Sequence, residues 1–143
     1  MKKHFLKGVC GILYVLTLLS CSNPLETRHV IRTLIDEPLS PGHYLLYWNG
    51  RDEKGKTVVP GTYFCVLECE EYVQQIEMTA IEGTKGRPAD STGTPTGLRY
   101  IESQPLHYIL EQNFPNPFYA QDGTNIPFSI PAYTYVRLMI REK

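Results

Sequence analysis

The chain has 143 residues, of which 42% are hydrophobic and 20% charged, with a formal net charge of −1. That balance suits one globular domain and excludes a chain disordered throughout. Without clustered Lys and Arg it also lacks the electrostatic footprint of a nucleic-acid binder, so no nucleic-acid partner is expected.

In chain order, residues 1–8 carry Lys2, Lys3 and Lys7, residues 9–19 are an apolar run, and Ser20-Cys21 follows. A basic region, a short apolar core and a small residue before the cut describe a secretory signal peptide over 1–20, expected to be helical. The run falls short of the roughly 20 apolar residues that span a bilayer. Leu18-Leu19-Ser20-Cys21 resembles the lipobox of bacterial lipoproteins. The resemblance implies lipidation of Cys21, cleavage before it and membrane attachment through the acyl chains, each buried methylene contributing about 0.8 kcal/mol. In two-membrane bacteria, Ser22 after the Cys implies the outer membrane. Residues 1–20 hold three Lys and no acid, so the remainder carries 11 basic against 15 acidic side chains, a formal net charge of −4.

Residues 21–27 read as the lipidated Cys and a polar tether, and 28–35 as a β-branched strand. Two Pro and a Gly punctuate 36–42, predicting a turn there. Over 43–48 the alternation puts Tyr44, Leu46 and Trp48 on one face and His43, Leu45 and Tyr47 on the other, the pattern of a central strand. Residues 49–56 form a long polar turn in which Gly50 and Gly55 take positive φ while Asn49 and Asp52 bond the following backbone. From Thr62 the alternation resumes, with Tyr63, Cys65 and Leu67 on a shared face, so 43–67 reads as a hairpin. A further strand is expected over 72–81, with Ile76, Met78 and Ala80 inward. Residues 82–105 are Gly-, Pro- and Ser/Thr-rich in their first part and read as a flexible linker. Within 106–143, a turn at Asp122-Gly123 precedes two clean alternations, Ile126, Phe128, Ile130 and Val136, Leu138, Ile140. Short strands joined by turns, with no helix after the signal, predict an all-β antiparallel sandwich.

Two stretches resemble opposite halves of one family. Residues 32–67 hold Gly42, Trp48-Asn49-Gly50-Arg51-Asp52, Gly55 and Gly61-Thr62-Tyr63, and resemble the second half of the immunoglobulin-like domain of the flagellar hook-capping protein FlgD. Residues 110–140 hold Leu110, Gln112-Asn113-Phe114-Pro115-Asn116-Pro117-Phe118, Thr124, Ile126 and Phe128. They resemble the opening half of that domain and of the C-terminal sorting domains of type IX secretion. The halves stand in reverse order, the second-half-like segment (28–81) before the first-half-like one (106–143). Three arrangements satisfy this. A circularly permuted immunoglobulin-like sandwich could close within one chain, halves could be exchanged with a second copy or paired with another envelope protein, or the reading frame could be a fragment. A flexible linker of about 24 residues averages roughly 27 Å end to end, enough to cross a small sandwich. Unpaired halves would expose edges and apolar faces.

The residues offer no catalytic constellation. His29, His43 and His107 are scattered, no Ser sits in a nucleophile-elbow pattern, and the glycines lack the spacing of a phosphate loop. Asp36-Glu37 and Asp52-Glu53 could in principle supply the six to eight oxygens calcium takes, but the turn already uses Asp52 structurally, so no calcium site is expected. No metal, cofactor or enzymatic activity is therefore expected. Cys65 and Cys69, four apart on one strand, would lie about 13 Å from each other, beyond disulfide reach, and are expected as free buried thiols. Tyr47 and Phe64 are a candidate interaction patch if their face of the sheet is open, and otherwise a second apolar layer under the C-terminal strands. The function these readings imply is a non-enzymatic, lipid-anchored envelope module for structure or protein interaction. The alternative is a sorting domain over 108–143.

Overall fold

A computed structural model describes residues 28–70, 72–85 and 96–143. The signal peptide at 1–20, Cys21, the tether to residue 27 and linker residues 86–95 lie outside that range. The described chain is all-β, without a helix. Its strands are β1 (Val30–Leu39), β2 (Gly42–Trp48), β3 (Gly61–Cys69), β4 (Tyr72–Ile81), β5 (Thr96–Ile101), β6 (Ile109–Leu110), β7 (Phe118–Tyr119), β8 (Thr124–Ile130) and β9 (Thr134–Glu142). A five-stranded sheet runs β1-β9-β3-β4-β7 and a four-stranded sheet β5-β2-β8-β6. Every pairing is antiparallel except the two-residue match of β7 to β4.

The C-terminal strands are inserted among the N-terminal ones. β9 lies between β1 and β3, setting Leu138 opposite Ile35 on one side and Leu67 on the other. β8 pairs with β2, setting Phe128 beside Tyr44 and Ile126 beside Leu46. One continuous core joins Trp48, Tyr63, Cys65 and Leu67 to Phe118, Ile126, Phe128, Val136, Leu138 and Ile140. The segments that each look like half a domain thus close a single sandwich within one chain. Strand period explains it: each alternating run has one apolar face that must be covered, and the two sheets cover each other.

Three expectations need correction. The stretch 43–67 is not a hairpin, because β2 and β3 belong to different sheets and residues 49–60 arch from one to the other. Alternation cannot separate the two geometries. In a hairpin Trp48 and Tyr63 would stand side by side on one face, whereas here they meet across the core at 6.4 Å, edge to face. The turn foreseen at 36–42 is shorter, since β1 runs on through Asp36, Glu37 and Pro38 to Leu39. Pro38 fits because β1 is an edge strand, so its missing N–H leaves no ladder bond unmade. Finally, the linker ends before Thr96. Residues Thr96–Ile101 form β5, with Leu98 opposite Leu46 and Tyr100 opposite Tyr44.

A repeated local pattern starts two strands. Pro41-Gly42-His43-Tyr44 and Pro60-Gly61-Thr62-Tyr63 both place a Tyr hydroxyl on the carbonyl four residues back, Tyr44 on Ser40 at 2.6 Å and Tyr63 on Val59 at 2.7 Å. Each ring is buried while its hydroxyl finds an acceptor at the strand entrance, which avoids an unpaired polar group.

Candidate functional site

The residues of the Trp-Asn-Gly-Arg-Asp turn form a hydrogen-bonded unit. Trp48 is wholly buried and its Nε1 donates to the Arg51 carbonyl at 3.0 Å. The Asn49 Oδ1 accepts from the Arg51 amide, and the Asp52 Oδ1 accepts from the Lys54 and Lys56 amides. Arg51 reaches the Gly55 carbonyl at 2.7 Å. Gly50 and Gly55 hold φ of 67° and 78°, values that an L side chain resists. This turn also lies along the free edge of β1. The Glu53 amide donates to the Ile31 carbonyl, the Glu53 carboxylate accepts from the Thr33 amide, and Arg32 donates to the Asp52 carbonyl. Asp52 and Glu53 are thus engaged with backbone, and Asp36 pairs with Arg137 at 3.1 Å. Among the described residues no group of three or more His, Cys, Asp or Glu is placed to hold a metal ion.

The Asn-Pro-Phe segment seals the opposite side of the sandwich. Leu110 pairs with β8 in the four-stranded sheet, while its amide and carbonyl are both taken by the Gln74 side chain of β4. Asn116 accepts from the Thr79 amide at 2.9 Å, and Gln112 donates to the Glu77 carbonyl. Pro117 stays at the surface, and Phe118 turns inward to meet Trp48 at 5.5 Å. Asn113 is buried and bonds Thr124 and the Pro115 carbonyl. Sequence reading set it in the motif without assigning this bond.

The two motif turns, distant in sequence, touch. A Cβ on Gly50 would stand 2.1 Å from the Ala120 carbonyl oxygen, and one on Gly123 would stand 2.2 Å from that of Trp48. Tyr47 adds a bond from its hydroxyl to the Asp122 carbonyl at 2.6 Å. Each turn therefore sits where the other has a bare glycine.

Tyr47 and Phe64, by contrast, do not form one patch. They stand on different sheets, each pointing away from the core, and both are at least partly buried. The error follows from the hairpin reading, which put β2 and β3 side by side. Nor do returning strands cover Phe64; the Arg28 guanidinium lies over its ring at 4.4 Å.

Cys65 and Cys69 are free and buried. Burial raises both thiols, Cys69 to about 11 with help from the Glu70 charge, which disfavours the reactive thiolate. His29, His43 and His107 are exposed and do not converge.

Three of the four sheet edges carry a blocking device. The β1 edge has the arch, Pro38 and the Asp36-Glu37 charges, and the 108–119 segment covers both the β4 edge and the β8 edge. The β5 edge has none among the described residues. It exposes Leu98, Tyr100 and Ile101, and its ladder partner is β2 alone. An unblocked apolar edge is a template for another strand.

Comparison with family models, curated proteins and solved structures finds no match to the chain.

Proposed function

We propose that this chain is a lipid-anchored cell-envelope β-sandwich that acts as a protein-interaction module and not as an enzyme. On this reading Cys21 carries the lipid, residues 22–27 tether the domain to the membrane, in two-membrane bacteria the outer one, and the β5 edge receives the partner. The observation that carries the interaction part is the contrast between the unblocked β5 edge and the three blocked ones. The meeting of the Trp-Asn-Gly and Asn-Pro-Phe motifs in one core supports reading the domain as a FlgD-type immunoglobulin-like fold with its halves in permuted order. It also favours this reading over a sorting module at 108–143, because that segment supplies an interior strand to each sheet and is no separable appendage.

The test is made in cells. A Cys21→Ala chain should leave the membrane fraction, and a photo-crosslinking residue at Arg99 on β5 should form an adduct that one at Glu37 on the blocked β1 edge does not. Continued membrane attachment of Cys21→Ala would refute the anchor. Equal adducts, or none, at Arg99 and Glu37 would refute the edge.

A further inference from the structure

The core layer of the sandwich runs out beneath β5. Leu98 and Tyr100 stand opposite Leu46 and Tyr44, on the side of the sheet that faces the core. Leu46 and Tyr44 are 1% and 5% exposed there, whereas Leu98 and Tyr100 are 38% and 46% exposed. The Tyr100 ring is nevertheless held in place, 5.2 Å from the Tyr44 ring and with its hydroxyl donating to the Pro41 carbonyl at 3.0 Å. On the other side of the strand Arg99 is exposed, between Gly97 and Ile101 and opposite Leu45. The outward residues next to it in the sheet are His43, Leu45 and Tyr47 on β2 and Asn125, Pro127 and Ser129 on β8, none of them acidic. Among the described residues Arg99 makes no ion pair. A free edge offers its backbone N–H and C=O groups to any strand, and the side chains then decide which strand is preferred.

We infer that the β5 edge takes an extended segment of another protein whose side chains alternate apolar and acidic, the apolar ones meeting Leu98 and Tyr100 and the acid meeting Arg99. The inference rests on the β5-edge reading above and adds the partner's chemistry to it. Successive side chains of an added strand fall on opposite faces of the sheet. The inward ones would continue the core past Leu98 and the fixed Tyr100 ring, and a ring already in place lowers the ordering cost of binding. The outward one across from Arg99 would bring a carboxylate, since opposite charges are favoured in cross-strand pairs. The apolar contacts supply the hold, while Arg99 sets register and preference, because charge complementarity governs specificity more than affinity. Glu102, exposed just past β5, bounds the apolar stretch. A second copy fits less well. Two β5 strands related by a two-fold pair antiparallel, so that outward residues face outward residues. With the axis through Leu98, Arg99, Tyr100 or Ile101 in turn, Arg99 meets Gly97, Arg99, Ile101 or Ser103 of the copy and never an acid.

Synthetic strands test this on the protein purified from cells in neutral detergent micelles, with empty micelles as the blank. Fluorescent peptides long enough to cover β5 are titrated and read by anisotropy, alternating valine with aspartate, valine with lysine, or serine with aspartate. A further valine–aspartate peptide, methylated at every backbone nitrogen, cannot donate to the edge. The valine–aspartate peptide should bind roughly fivefold tighter than the valine–lysine one, and Arg99→Glu, a change at an exposed side chain, should reverse that order. The serine–aspartate peptide should bind at least about tenfold more weakly than the valine–aspartate one. Amide signals should shift at residues 98–101 and stay in place along β1. Equal affinities for the aspartate and lysine peptides, or an order that survives Arg99→Glu, overturn the charge preference while leaving the edge reading intact. A mass that doubles with concentration, with the same amides shifting in the absence of peptide, makes a second copy the occupant and likewise overturns the inference alone. Undiminished binding of the methylated peptide, or no binding by any of them, overturns the edge reading and the inference with it.

Discussion

Leu138→Ala tests whether the C-terminal strands are structural partners of the N-terminal ones. Leu138 is fully buried on β9 and is flanked by Ile35 and Leu67 on the two neighbouring strands. A site held from both sides by a sheet relaxes little, so the cavity persists and the cost should fall at about 3–4 kcal/mol, inside the usual range for a buried Leu. For a domain of this size that corresponds to a drop in Tm of roughly 12–16 °C. Urea denaturation followed by fluorescence reads it directly. The only Trp, Trp48, lies on β2 in the opposite sheet, so a change in β9 reaches it only through the shared core. Leu106→Ala is the control, since Leu106 is 85% exposed and should shift stability by no more than about 0.5 kcal/mol. If Leu138→Ala left the Trp48 transition within that same margin, β9 would not be packed between β1 and β3 and the single-chain sandwich would be refuted.

Further expectations concern the turns and the thiols. Gly50→Ala and Gly123→Ala each drive a Cβ into a backbone carbonyl from a positive φ, and each should cost at least about 3 kcal/mol. Gly55→Ala, with positive φ but open space, should cost about 1–2 kcal/mol, and thermal melts of the three would separate strain from collision. Asn116→Ala gives up the bond to the Thr79 amide and should cost about 1 kcal/mol in urea unfolding. Because burial raises the folded-state values of Cys65 and Cys69, their stabilisation is fully present below the unfolded thiol value of 9.0 and is lost above it. Between about pH 9 and 10, stability should fall by up to about 1.4 kcal/mol per unit for each thiol, and Cys69→Ala should remove its share. The raised Tyr44, Tyr63 and Tyr72 add in the same direction above their usual value, so the window below pH 10 isolates the thiols. A disulfide-exchange reagent should label both cysteines only as fast as the chain unfolds, and rapid labelling of the folded protein would contradict their burial.

The inward positions were legible where side chains alternate over a full strand. Tyr44, Leu46 and Trp48, Tyr63, Cys65 and Leu67, and Val136, Leu138 and Ile140 are all core as expected. Turn chemistry at Gly50, Gly55, Asn49 and Asp52 was equally legible, because it depends on a few consecutive residues. Strand β5 escaped because Gly- and Pro-rich residues precede it and its apolar pattern is short. Arg28 over Phe64 escaped because nothing local to either residue encodes the contact. The blocking of edges by Glu53, Gln74 and Asn116 is a matter of which backbone each polar side chain meets.

The amino-acid sequence by itself determined the strand faces, the glycine-dependent turns and the all-β class, since these follow from side-chain period and local backbone conformation. Only the tertiary structure decided what the stretch 43–67 becomes. Period two says which side of a strand is buried and is silent on which strand lies opposite, so the same residues serve a hairpin or an arch. The arch prevails here because β8 and β9 take the positions beside β2 and β3, and the two motif turns then close upon each other at Gly50 and Gly123.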